Sequence, residues 1–102
     1  MEYLNKIELR GIVGVIHTHN VGGKQYASFS MATEYAFKDK EGCCVIETTW
    51  HNVLAWDVEL GSITKGSNVY VLGRLRTRRY IDADGNERCS IEIIAQQLSV
   101  LE

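Results

Sequence analysis

The sequence predicts an all-β domain, and three observations carry the prediction. Val, Ile and Thr recur in short runs, and apolar residues alternate with polar ones at period two more often than at 3.6. Proline is absent, so the turns between runs must be made by Gly, Asn and Asp. The 102 residues, 45% of them hydrophobic, suffice for one domain with one modest core and no disulfide.

The elements follow in order. A first strand is expected over residues 4–18, with Ile7, Leu9, Val13 and Val15 on one parity as core. Gly11 and Gly14 interrupt it and predict a bulge or bend that lets one strand serve two sides of a barrel. A loop is expected at residues 19–23. A second strand over residues 24–37 turns Ala27, Phe29 and Met31 inward. After the polar turn Lys38-Asp39-Lys40-Glu41-Gly42, a third strand over residues 43–56 puts Val45, Val53 and Ala55 on one parity. Residues 57–64 are the one helix candidate, with Asp57 as a possible cap and Gly61 weakening it. The fourth strand, residues 68–79, begins apolar on both faces. The fifth, residues 86–100, carries Cys89, Ile91, Ile93 and Ala95 on one face. Asp84-Gly85 supplies the turn of the last hairpin as a two-residue loop. Five strands with a short helix between the third and fourth match a Greek-key barrel of the OB-fold type. Another small barrel or an open sheet fits the same order.

The formal net charge is −2, but it is unevenly spread. Between Glu59 and Asp82 there is no acid, while Lys65, Arg74, Arg76, Arg78 and Arg79 give a local +5. Fields act over about 8–10 Å at physiological salt, so the patch outweighs the total. Arg74, Arg76 and Arg78 share a parity with Tyr80. A charged edge strand explains the arginines as a guard against pairing with other chains, but not the ring.

A second aromatic signal lies on the third strand. If Val53 and Ala55 face the core, Trp50, Asn52, Leu54 and Trp56 face away from it. The two tryptophans then stand about 20 Å apart on one outer face. Rings interleaved with arginines suit single-stranded nucleic acid. Every base offers a π-face for stacking, and every phosphate an anion for a guanidinium.

Other chemistries find little support. The sequence has no P-loop, G-x-S-x-G or H-E-x-x-H motif, and His51 has no carboxylate or nucleophile placed with it by spacing. An enzyme is not expected, and no cofactor is implied. His17 and His19 could share a strand face, but no third ligand follows at useful spacing. Adjacent Cys43 and Cys44 point to opposite faces, and with Cys89 they make an odd count of reduced thiols, so no metal site is expected. No apolar stretch approaches a membrane span and no signal peptide opens the chain, so a cytoplasmic protein without a membrane partner is expected.

Six segments, "NKIELRGIVG", "YASFSMAT", "FKDKEG", "ETTWHNV", "KGSNVYVLGRLRTRRYIDADGNERCSIEI" and "LSVL", resemble in that order the bacterial single-stranded DNA-binding protein family. The likeness spans nearly the whole chain. It implies an OB-fold that assembles as a homotetramer, with a dimer as the smaller alternative, and binds single-stranded DNA in replication, recombination or repair. By local alignment the stacking aromatics fall on Phe37, Trp50, Trp56 and Tyr80. Asn52 lies between the tryptophans, and Arg74, Arg76, Arg78 and Arg79 lie in the basic hairpin. Leu4, Lys6 and His51 fall at a subunit interface. Phe37 and Tyr80 stand where tryptophan is frequent in the family. The sequence ends at Glu102, where the family usually continues into a flexible segment with an acidic tip, so a short form without that tail is expected. Two alternatives carry the same barrel: an accessory factor like primosomal replication protein N, and a protein–protein adaptor docking through Trp50 and Trp56. An adaptor has no need of four arginines beside a stacking ring.

Overall fold

The computed structural model describes residues 2–56 and 63–101. Five strands, β1 (Ile7–Val21), β2 (Lys24–Lys38), β3 (Cys44–Trp56), β4 (Asn68–Ile81) and β5 (Glu87–Leu101), form a closed barrel in the order β1-β2-β3-β5-β4. β1 pairs antiparallel with β2 at one end and β4 at the other, and β3 meets β5 in parallel at Val53 and Leu54. The expected helix falls mostly on residues 57–62, outside the described residues; Ile63 and Thr64, its last two positions, are not helical.

One strand serves both sides of the barrel because β1 carries a bulge. Residues Ile7–Ile12 pair with β4, and from Ile12 onward the partner is β2. Between Val13 and Ile16 the register slips by one residue against Met31 and Phe29. At that point the Val13 N–H donates to Ser67 O (2.9 Å), and Gly66 N donates to Val13 O (2.8 Å). The extra residue reverses the alternation. Val13 is therefore buried, Val15 is 54% exposed and Ile16 packs against the core. This corrects the expectation for Val15: the parity count runs straight through the bulge.

The core is the barrel interior. Val13, Ala27, Phe29, Met31, Val53, Ala55, Ile63, Val69, Val71 and Ile93 are buried, with Ile7, Leu9, Ile16, Ala95 and Leu98 against them. Val45, Cys89 and Ile91, expected on inward faces, are half-buried or exposed. They lie where the hairpins run out past the barrel and the inward face loses the layer it packs on.

Two hairpins form these projecting arms, and their tips share one chemistry. In "DKEGC" the Asp39 N–H donates to Cys43 O (2.9 Å), and Gly42 N donates to Asp39 O (3.1 Å). In "DADGN" the Asp82 N–H donates to Asn86 O (3.0 Å), and Gly85 N to Asp82 O (3.1 Å). Each aspartate also accepts two amide N–H bonds from its own turn. Gly42 and Gly85 both sit at φ 81°, a conformation that favours glycine. The loop between Asp82 and Asn86 is therefore three residues ending in a left-handed glycine, one longer than the expected two-residue turn. The β1–β2 link is the shorter one: Gly22 and Gly23, both at positive φ, join Val21 to Lys24. β1 therefore runs on through His19 and Asn20, where the sequence predicts a loop.

Met31→Ala should lower stability by about 2–5 kcal/mol, whereas Val15→Thr should change it by less than about 0.5 kcal/mol. Chemical denaturation of both variants checks the phase of β1. A Val15 variant as damaging as the Met31 one would contradict the bulge.

Candidate nucleic-acid interface

Strand register decides which side chains share the outer face of the β1–β2–β3 sheet. Paired residues lie on the same face, and Phe29↔Val53 and Ala27↔Ala55 are the buried pairs. The alternate pairs, Tyr26↔Trp56, Ser28↔Leu54, Ser30↔Asn52 and Ala32↔Trp50, therefore point outward. Trp50 is 61% exposed and Trp56 42%. Between them the β2 residues are small, and Ser28, Ser30 and Asn52 help to line a shallow cavity of about 180 Å³ with His17.

Each tryptophan is held by a neighbour. A Cβ placed on Gly14 would lie 2.7 Å from Trp50 Cζ3 and 3.2 Å from Cη2, so the missing side chain makes room for the indole. The bulge is anchored beside it by the Val15 N–H, which donates to Ser30 Oγ (2.9 Å). Trp56 lies against Tyr26, ring centroids 4.4 Å apart, and Tyr26 stacks in turn on His19 at 4.7 Å. Three strands thus contribute one ring each to a continuous ladder.

Phe37 is placed differently. It pairs with Val45 on the other face of the β2–β3 arm, with its ring 6.1 Å from Tyr35. An outer-face strand reaching both tryptophans must pass the arm's edge to meet Phe37. His51 also lies on the inner face, half-buried, with Nε2 2.8 Å from Thr33 Oγ1. Burial holds its pKa below the ordinary imidazole value. Leu4 and Lys6 are exposed and flank Asn5. The Asn5 amide imitates a strand partner: it accepts from Leu75 N (2.8 Å) and donates to Leu75 O (2.7 Å).

On the β4–β5 arm, Arg74, Arg76, Arg78 and Tyr80 share a face, paired with Ile94, Glu92, Ser90 and Arg88. Tyr80 is 43% exposed, and the Arg78 guanidinium carbon lies 5.9 Å from its ring centroid. The four arginines are not equivalent. Arg76 is bound to Glu92 through both Nε and Nη2. Arg79 lies on the opposite face, 3.9 Å from Glu87. Among the described residues, Arg74 and Arg78 have no carboxylate partner. Arg88 is tied to Asp82 (2.8 Å), and that bond, with the Asn86 and Asp84 amides, holds the Asp82 pKa below the ordinary carboxylate value.

The model of the single-strand binding protein family matches residues 4–101. The chain belongs to that family. Single-stranded DNA-binding protein 1 of Chlorobaculum tepidum is 32% identical over 96% of this chain and 65% of its own length. Its namesake in Xylella fastidiosa is 33% identical over 99% of this chain and 79% of its own length. The chain spans about two thirds of the length of the first of these, and 60% of a relative from Neisseria meningitidis. A solved Plasmodium falciparum SSB complex with ssDNA superposes with a TM-score of 0.90 at 32% identity, covering 100% of this chain and 98% of that one. The small single-stranded DNA-binding protein of Streptomyces coelicolor, at 23% identity and a TM-score of 0.73, shares the fold. These matches agree with the resemblance and with the five-stranded barrel.

Sequence reasoning missed Tyr26 and His19 as rings of this outer face, and Gly14 as the seat of Trp50. The signal was present for Tyr26: like Ser28 and Ser30, it has the parity opposite to Ala27, Phe29 and Met31.

Gly14→Ala should push the Trp50 indole off its seat without emptying the core. We expect a red shift of tryptophan emission in a Trp56→Phe background and a melting curve with its cooperativity kept. Unchanged emission would show that Gly14 does not seat the ring.

Proposed function

We propose that this chain binds single-stranded DNA without sequence preference, by stacking bases on Trp50 and Trp56 and pairing phosphates with the arginines of the β4–β5 arm. One observation carries the reading: two exposed tryptophans stand on one sheet face, with Asn52 and Leu54 between them on β3 and the serines Ser28 and Ser30 beside them on β2. A protein that only had to fold would not leave two indoles uncovered beside a cavity it does not fill. Stacking tolerates any base, and it needs the base unpaired, so single strands are preferred over duplex. The relatives are named for single-stranded DNA binding, and one solved relative is a complex with ssDNA. Phe37 and Tyr80 extend the track onto the two arms, and Asn52 offers its amide within the cavity between the tryptophans.

The working unit we propose is a homo-oligomer, a tetramer first and a dimer second. Apolar side chains outside the core support it: Leu4, Ile12 and Val100 are all exposed. Lys6 and His51 belong to the same proposed contact. Its place is the cytoplasm, in replication, recombination or repair; among the described residues no helix is long and apolar enough to cross a membrane.

Stacking and charge pairing should separate experimentally. Trp56→Ala should weaken oligo(dT) binding by about 1–3 kcal/mol and leave the salt dependence unchanged, because a stack releases no counterion. Glu92→Gln should free Arg76 for a phosphate and steepen the slope of log K against log salt by about 0.7. Fluorescence titrations over a range of salt, with duplex as competitor, check both. Duplex that competes as well as oligo(dT) would refute the reading.

A further inference from the structure

We infer that His17 and His19 form a second phosphate-binding subsite on the outer face of β1, one that binds the phosphodiester backbone only when the imidazoles are protonated. The inference rests on the single-strand reading above and adds to it a proton-dependent contact away from the arginine arm.

The bulge creates the subsite. Without the extra residue between Val13 and Ile16, residues 17 and 19 would keep the inward parity of Val13. With it, His17 pairs with Ser28 and His19 with Tyr26, both on the face that carries Trp50 and Trp56. Both histidines are exposed. Two positions apart on one strand, they stand about 7 Å from each other, a spacing on the scale of one nucleotide of an extended chain. His17 lines the cavity that Ser28, Ser30 and Asn52 share. His19 ends the ladder that runs through Tyr26 to Trp56. A base stacked at Trp56 would share this face with the imidazoles, with Tyr26 between its platform and His19.

The surroundings hold one aromatic face and few charges. An imidazolium at 4.7 Å from the Tyr26 ring is within cation–π range. β2 is the strand packed against both histidines, and its charged groups on this face are Lys24, next beyond Tyr26, and Glu34 and Lys38 toward the far arm. β3 contributes Thr48, Trp50, Asn52, Leu54 and Trp56, none of them charged. Among the described residues, no carboxylate is hydrogen-bonded or ion-paired to either imidazole. Nothing described neutralises the pair before a phosphate does. Histidine is the side-chain type that gains or loses a proton between pH 5 and 8, so pH is the variable that tests the subsite.

The test is a salt titration of oligo(dT) binding at about pH 8 and about pH 5.5; thymine does not titrate between them. For the wild type, the slope of log K against log salt should steepen at the lower pH by about 1.4, about 0.7 for each additional phosphate that is neutralised. His17→Gln and His19→Gln should each remove about half of that change, and the double variant all of it. Melting curves at both pH values confirm that the variants remain folded. A wild-type slope that does not change with pH overturns the inference. So does a change that survives in the double variant, which would move its source to another group such as His51. Absence of oligo(dT) binding at both pH values would instead defeat the single-strand reading itself, and this inference with it.

Discussion

The β1 bulge is the constraint on which the rest of this structure depends. A closed five-stranded barrel needs one strand to leave one neighbour and take up another, and β1 does so at Val13, where its backbone bonds to Gly66 and Ser67. The extra residue changes the phase of everything that follows. Ile16 turns into the core, and His17 and His19 turn out. The same irregularity brings Gly14 under Trp50, so the feature that closes the barrel also seats one of its exposed rings. The strand exchange of β1 and the seating of Trp50 are in this sense set by one backbone event.

Much of the fold was legible because period two is a strong signal when the core is thin. Ala27, Phe29 and Met31, then Val53 and Ala55, gave the inward faces of two strands, and the outward pair Trp50 and Trp56 followed by alternation. What was not legible depended on counting across an irregularity. Gly11 and Gly14 announce a bulge but not which residue is the extra one, so straight counting puts Val15 on the wrong side. His19 reads as loop because nothing in the sequence says that the Gly22-Gly23 turn is so short. Phe37 is aromatic by alignment, yet alignment carries no face, and the register sets it opposite the tryptophans. Cys89 and Ile91 have the right parity but no core beneath them.

Charge was the least readable property, because it depends on pairing across strands. Counted along the sequence, the β4–β5 arm has four arginines in six residues. Counted across the ladder, Arg76 faces Glu92, Arg79 points away, and Arg74 and Arg78 remain on the tyrosine's side without a carboxylate among the described residues. A guanidinium already held by a carboxylate must exchange that partner for a phosphate, while an unpaired one exchanges only water and counterions. The arm is therefore a graded series of cations, and Glu92 sets how much of it is available.

The two arms have a mechanical consequence. The barrel has no edges, because every strand in it is paired on both sides. Beyond the barrel, residues 33–38 of β2 pair only with β3, and residues 76–81 of β4 only with β5. Each arm is a two-stranded ribbon, and such ribbons are marginally stable by themselves. Asp39 and Asp82 pin the tips through hydrogen bonds to their own turns, while the bases are fixed in a close-packed core. The compliant part is the middle. Each arm can therefore bend along its middle while tip and base keep their form, and a polymer lying along the sheet can be gripped at several heights without any change in the barrel itself.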